Sequence, residues 1–120
     1  MSSTIKKVAI STANSSDTNA ANKIVAGVAN AQIRVLKFFI VAAGAVTATF
    51  ESFGTGATAL TGAMSMVAGV PLADSGFYGG PSRGTVSLFD CKTGEDLRIN
   101  LGGAVQVSGY AIVEITPIGS

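Results

Sequence analysis

The sequence predicts an all-β protein, a single antiparallel β-sandwich of eight or nine short strands with a jelly-roll arrangement favoured. Three observations predict this fold. Apolar side chains recur mostly at every second position, which is the period of a strand with one buried face. Turn residues recur throughout the chain, including 15 glycines in 120 residues. No stretch carries the apolar period of a long helix, and short strands between frequent turns are typical of sandwiches and barrels.

The N-terminal quarter of the chain predicts two strands separated by a polar linker. The strands are expected at Ile5–Ser11 and Asn22–Val28, and residues 12–19 between them are mostly Ser, Thr and Asn. We therefore divide the chain into two parts. Residues 1–21 are a polar, partly flexible N-terminal arm with a possible first strand, and residues 22–120 are the β-sandwich domain.

The segment Ile33–Ala42 predicts a strand with large apolar side chains on both faces. Strict alternation gives two faces, one with Ile33, Val35, Lys37, Phe39 and Val41 and one with Arg34, Leu36, Phe38 and Ile40. We expect such a strand to be covered on both sides. One cover is the domain core, and the other is either a second layer of the same sandwich or a partner subunit. After the turn signal Ala43-Gly44, a strand is expected at Ala45–Ser52.

The middle of the chain is rich in Gly, Ala and Thr and predicts short elements. These are strands at Ala57–Leu60 and Ala63–Val67 and a long loop at Val70–Arg83.

The last third predicts three strands in an antiparallel meander. They are expected at Thr85–Cys91, Leu97–Leu101 and Val105–Thr116. In the last of these, alternation puts Tyr110 on the face opposite Ala111 and Val113. The connections Lys92-Thr93-Gly94 and Gly102-Gly103 contain the glycines that tight hairpin turns require.

The side chains that enzymes use most are scarce. The chain has no histidine and one cysteine, Cys91, so neither a serine nor Cys91 has the usual base to activate it. Glu95 and Asp96 are sequence neighbours, and in a strand they would point to opposite faces instead of forming an acid/base pair. We expect no enzymatic activity, no catalytic residue and no cofactor.

Metal and phosphate sites have no clear sequence pattern either. Asp90, Glu95 and Asp96 flank one loop, but they lack the regular ligand spacing of a calcium loop. The glycine-rich segment Gly79–Gly84 lacks the Gly-Lys-Ser/Thr ending of a phosphate-binding loop. No Cys/His cluster exists for zinc. We therefore expect no metal site and no cofactor-binding residue.

The composition indicates self-association. The chain is 48% hydrophobic and 12% charged, with a mean hydropathy of +0.49. This exceeds what one small core needs, so the surplus is expected at subunit contacts. Alanine tolerated at the surface is the alternative explanation. Adjacent aromatic residues dominate the candidate interface, which comprises Phe38, Phe39, Ile40, Phe77 and Tyr78.

Charge and targeting signals limit the other partners. The net charge is +1 and only Lys6 and Lys7 are adjacent cations, so we expect no nucleic-acid partner. The N-terminus lacks the apolar segment of a signal peptide, and the uncharged run Phe38–Phe50 is too short to span a bilayer. We expect neither export nor a membrane partner.

Three segments resemble a known group of proteins. They are Ile33–Leu36, Val41–Phe50 and the run from Thr93 through Gly102 to Ile115. Across residues 22–116 the chain is similar to small β-rich virion structural proteins of tailed bacteriophages. Members of this group resemble capsid decoration proteins, also called cement proteins. The shared motifs are strand and turn patterns, so no residue inherits a chemical role.

The resemblance implies a trimeric β-sandwich seated on the outer shell of a phage head. On that basis we expect a non-enzymatic capsid decoration protein, assembled in the host cytoplasm and located in the virion. Its partners would be further copies of itself and the major capsid protein. Two alternatives stay open. They are a tail or head-fibre component that contacts a host receptor, and a carbohydrate-binding or cell-surface module, because a fold does not determine function.

Overall fold

The computed structural model describes residues 3–78 and 85–118. Within them the chain forms twelve β-strands and a short 3-10 turn at Ala20–Asn22. The strands are β1 Thr4–Thr12, β2 Lys23–Val25, β3 Ala31–Ala42, β4 Val46–Phe53, β5 Ala57–Ala59, β6 Met64–Met66, β7 Leu72–Ser75, β8 Phe77–Tyr78, β9 Thr85–Val86, β10 Phe89–Asp90, β11 Asp96–Leu101 and β12 Val107–Pro117.

Two antiparallel sheets pack face to face and confirm the all-β sandwich. In sheet A, β12 lies between β1 and β3, and both β10 and β7 pair with the other side of β3. In sheet B, β11 lies between β2 and β4, and both β5 and β6 pair with the other side of β4. Strands β8 and β9 form a separate two-stranded sheet.

The order of the strands is that of a jelly roll. The first strand pairs with the last, the second with β11, the third with β10 and the fourth with β5, and successive pairs alternate between the two sheets. Such nested antiparallel pairs describe a rolled-up ribbon. The described residues contain more strands than the eight or nine predicted. One reason is that two short strands, instead of one long strand, pair with the outer side of β3 and likewise with the outer side of β4.

The predicted meander of the last third is wrong. Strand β10 lies in sheet A, β11 in sheet B and β12 in sheet A, so none of the three pairs with its sequence neighbour. Each connection crosses between the sheets instead of closing a hairpin. Gly94 has a φ of 81°, which suits a turn, but that turn leads from one sheet to the other. The alternation of apolar residues shows only that each strand has one buried face. Both a hairpin and a crossing between the sheets are compatible with that pattern, so the pattern does not identify the strand partners.

Two further segments differ from the sequence prediction. The expected loop Val70–Arg83 contains β7 and β8, and β7 pairs with β3. Residues 79–83 of that loop, and the glycine-rich segment Gly79–Gly84, lie outside the described residues. The expected strand Thr85–Cys91 is divided into β9 and β10, which lie in different sheets. At the N-terminus the possible first strand is present, since β1 pairs with β12 from Thr4 to Thr12 and buries Ile10 and Thr12.

A β-bulge at Leu36 changes the faces of β3. The register with β12 shifts there, because Val35 pairs with Val113 but Lys37 pairs with Ile112. An extra residue in one strand reverses the alternation beyond it. The core-facing residues of β3 are therefore Ala31, Ile33 and Val35 before the bulge and Phe38, Ile40 and Ala42 after it. The bulge lies where the neighbour of β3 changes from β10 to β7.

The core between the sheets is centred on three aromatic rings. The ring centroid of Phe38 lies 5.0 Å from that of Phe50 and 6.3 Å from that of Phe89, and Phe50 and Phe89 lie 5.3 Å apart. Phe50 comes from sheet B and the other two rings from sheet A, so the cluster joins the layers. Tilted aromatic pairs at these separations stabilise a core beyond the area that they bury.

The adjacent residues Phe38 and Phe39 should respond differently to the same substitution. Phe38→Ala leaves a cavity in the core and is expected to lower the free energy of unfolding by about 3 kcal/mol or more. Phe39→Ala removes a half-buried ring from the outer face of the sheet and should cost only about 1 kcal/mol. Urea denaturation of both variants measures the difference. Equal losses would contradict the reversal of faces at Leu36.

Candidate interaction surface

The outward face of sheet A carries a stacked aromatic pair. Tyr110 of β12 lies between Phe39 of β3 and Ala9 of β1. The rings of Phe39 and Tyr110 lie 5.9 Å apart with an interplanar angle of 14°. Gly109 precedes Tyr110, and a Cβ at Gly109 would collide with the backbone carbonyl of Phe39. The absence of that side chain lets the two strands approach closely beneath the rings.

Two lysines flank the same tyrosine. Lys7 of β1 and Lys37 of β3 both pair with Ile112 of β12, one row along the sheet from Tyr110. They are thus diagonal neighbours of the ring. Their Nζ atoms lie 5.5 Å and 5.9 Å from its centroid, which is within cation–π range. We call Lys7, Lys37, Phe39, Tyr110 and Ile112 the aromatic–lysine face.

The two lysines of this face differ from Arg34, the cation in the next row of the sheet, in their ion pairing. Arg34 lies 3.1 Å from Glu114 and 3.5 Å from Asp90, so the cation there lies between two carboxylates. In residues 3–78 and 85–118, no carboxylate lies within ion-pair distance of Lys7 or Lys37. The aromatic–lysine face therefore presents two lysines that belong to no ion pair among the described residues.

The structure separates the five predicted interface residues. Phe38 and Ile40 are 4% and 0% exposed, so they belong to the core and a partner cannot reach them in the folded chain. Phe39 is half-buried on the outward face. The backbones of Phe77 and Tyr78 form β8, which pairs with β9, and their side chains lie outside the described residues.

Sequence reasoning missed most of this surface. Strict alternation put Lys37 and Phe39 on the same face as Ile33 and Val35, and the bulge at Leu36 makes that grouping wrong. The alternation of β12 correctly separates Tyr110 from the core residues Ala111 and Val113. The sequence signal for this surface was an aromatic residue, Tyr110, on the polar face of that strand. The side chains that contact Tyr110 could not be predicted, because they depend on the pairing register between segments that are far apart in the chain.

The outward face of sheet B is polar and is crossed by the segment between β1 and β2. Asn22 is fully buried and its Nδ2 donates to the carbonyl oxygens of Asn14 and Ile99, each at 2.9 Å. Arg98 donates through Nη1 to the carbonyl oxygen of Asp17 at 2.7 Å and through Nη2 to Asp96 at 2.8 Å. These bonds hold the polar segment against the sheet.

Glu51 is the most perturbed acid of this region. The residue is 7% exposed, its Oε2 accepts from Asn100 Nδ2 at 3.3 Å, and its buried Oε1 has no hydrogen-bond partner among the described residues. Burial raises the pKa of Glu51 from 4.5 to about 7, with a further increase from the Asp17 carboxyl and a smaller opposing effect from Asn100. Because burial favours the neutral form of a carboxyl, Glu51 is expected to keep its proton up to about pH 7.

The cysteine and carboxylates that the sequence offered for chemistry are buried or engaged in structural contacts. Burial raises the pKa of the Cys91 thiol to about 12, which suppresses its thiolate at neutral pH. Glu95 accepts from Ser52 Oγ at 2.7 Å, and Asp96 accepts from the backbone N–H of Gly27 at 2.7 Å. Asp90 accepts from the Ser87 hydroxyl. The described part of the chain contains no group of three His, Cys, Asp or Glu side chains placed to hold a metal ion.

Two grooves lie at the end of the sandwich where β3 turns into β4. Their volumes are about 480 and 420 Å³. The lining residues are small, apolar or neutral polar, and comprise Ala45, Val46, Thr47, Ser65, Met66, Val67, Gly102 and Gly103 in one and Val41, Ala42, Ala43, Gly69, Gln106 and Ser108 in the other. Neither lining offers an acid, a base or a cation.

No family model, curated protein or solved structure matches the chain. Among residues 3–78 and 85–118, no helix has the length and apolar character needed to cross a membrane.

The buried Glu51 should make stability fall as the pH rises. The folded chain keeps the Glu51 proton up to about pH 7, while the unfolded chain releases it near its ordinary pKa. The folded state therefore binds more protons between these values, and the free energy of unfolding should fall across this window by at most ~3 kcal/mol. Thermal unfolding followed by circular dichroism from pH 4.5 to 8 measures the slope.

Glu51→Gln should flatten this pH dependence, because the amide mimics the neutral acid and does not titrate. Asp74→Asn is the matched control, since Asp74 is exposed and lies away from the polar face. It should keep the wild-type slope. An unchanged slope in Glu51→Gln would assign the effect to another group.

Proposed function

We propose that this protein is a non-enzymatic virion structural protein, most specifically a capsid decoration protein that self-associates and stabilises a phage head. The outward face of sheet A is the observation that carries the proposal. It presents aromatic and apolar side chains, whereas the two grooves beside the turn from β3 to β4 carry no titratable lining. A surface of this kind is suited to adhesion.

The rigidity of sheet A supports an adhesive role. Strand β12 pairs with β1 from Val107 to Ile115 and with β3 from Val107 to Pro117. The backbone of such a continuous ladder loses little conformational freedom when a partner binds, which lowers the cost of association. The jelly-roll order also occurs in capsid proteins, although it occurs in lectins and cupins as well.

The exposed apolar residues support self-association. Val67, Val70 and Val86 are 57%, 54% and 60% exposed, and each adds apolar area that a neighbouring copy could bury. The free edge of β1 is less suited to strand addition, because it carries the exposed cations Lys6 and Lys7. Charges on an edge strand oppose pairing with another chain. We therefore assign association to faces and loops of the sandwich instead of to this edge.

The assembly is expected to be a trimer. Light scattering of the purified protein should give a mass near three times 12.0 kDa at micromolar concentration. Val67→Asp should reduce that mass, because it places a charge on an exposed apolar position without disturbing the core. A wild-type protein that stays monomeric under these conditions would contradict self-association.

The decisive test uses phage heads. A ligand that binds the assembled shell better than its free subunits must stabilise the shell, by an amount set by its concentration relative to the dissociation constant. Heads stripped of the protein should release DNA at a lower temperature than heads to which it has been added back. An unchanged release temperature at saturating protein would reject the decoration role and favour the receptor-binding alternative.

A further inference from the structure

We propose that the aromatic–lysine face binds a protein surface that carries carboxylates beside apolar side chains. The inference rests on the proposed function, since it gives the chemistry of the partner at the same outward face. Its evidence is the arrangement of Lys7, Lys37, Phe39 and Tyr110 on three adjacent strands.

Charge is the first argument for an acidic partner. The two ammonium groups flank one ring, and no described carboxylate lies within ion-pair distance of them. One row further along the sheet, the cation Arg34 lies between Glu114 and Asp90. The same sheet thus holds one cation in ion pairs and leaves two cations outside any ion pair among the described residues. An incoming surface with carboxylates would be electrostatically complementary to these two positions, which favours encounter and orientation.

The geometry of the rings favours a protein over a glycan or a single-stranded nucleic acid. Sugars and bases bind aromatic side chains by stacking on an open ring face. Tyr110 is already stacked with Phe39, and both ammonium groups lie within cation–π distance of its ring. These contacts leave less of the Tyr110 ring face free for a sugar or a base to stack on. Ring edges are the positive part of the aromatic quadrupole, so they also suit carboxylate oxygens.

Preorganisation is the third argument. Lysine side chains normally lose much rotamer freedom when they are fixed in a contact. Here both lysines already lie against Tyr110 on paired strands, so part of that loss has occurred before binding. A partner carboxylate would meet two ammonium groups whose positions are set by strand pairing, since Lys7 and Lys37 lie on either side of Ile112.

The test uses the full chain and three probes. A random copolymer of glutamate and tyrosine supplies carboxylates and aromatic side chains, heparin supplies an anionic polysaccharide, and an oligothymidine supplies single-stranded DNA. Binding is measured by biolayer interferometry at matched ionic strength. We expect the copolymer to bind more tightly than the other two probes, and its affinity to decrease with added salt.

The variants are chosen to separate this face from net charge. Lys7→Glu with Lys37→Glu should weaken copolymer binding about tenfold or more. Lys6→Glu is the matched control for the single variant Lys7→Glu, which changes the net charge by the same amount, because Lys6 is an exposed neighbour of Lys7 on the same strand but points to the opposite side. It should change the affinity less than about twofold, and less than Lys7→Glu does. If the double glutamate variant fails to fold, Lys7→Gln with Lys37→Gln removes the charges without reversing them.

Several outcomes would overturn the inference. They are an absence of copolymer binding, equal losses in Lys6→Glu and Lys7→Glu, and tighter binding of heparin or oligothymidine than of the copolymer. The same variants on stripped heads distinguish the two proposals. If the double variant restores the release temperature as well as wild type does, this inference fails and the decoration role stands. If it loses copolymer binding but wild type leaves the heads unchanged, the inference stands and the decoration role fails.

Discussion

The pairing of β12 with β3 is the constraint on which the rest of the structure depends. It joins the end of the chain to its middle and forms the centre of sheet A. The close approach of the two strands requires a residue without a side chain at Gly109, where a Cβ would meet the Phe39 carbonyl. Because β12 also pairs with β1, this ladder sets the position of the N-terminal strand. It thereby determines which side chains face the core and which face outward.

The bulge at Leu36 decides how the apolar residues of β3 are used. A regular strand would put either Val35 or Phe38 outside, because their positions differ in parity. The extra residue allows both to enter the core, and the cost is that Lys37 and Phe39 move to the outward face. The aromatic cluster that joins the sheets and the surface that we propose for binding thus have one structural origin.

The two outward faces of the sandwich have opposite electrostatic character. On sheet B the segment between β1 and β2 covers the strands, and Arg98 and Asp96 compensate each other beneath it. Burial of the Glu51 carboxyl there raises its pKa. On sheet A, Lys7 is exposed and Lys37 and Tyr110 are half-buried. One face is thus covered by the chain itself, and the other is the face that we propose for partner binding.

The sequence by itself determined the β class and the positions of the long strands, because a period of two is a local property of side chains. The observed β4, β11 and β12 lie within two residues of their predicted bounds. It also indicated that β12 keeps Tyr110 away from the core. Strand partners, the sheet crossings at Gly94 and Gly102 and the grouping of Lys7, Lys37 and Tyr110 were decided only by the tertiary structure. The physical reason is that alternation shows which side of a strand is buried, whereas pairing and register depend on contacts between residues that are far apart in the chain.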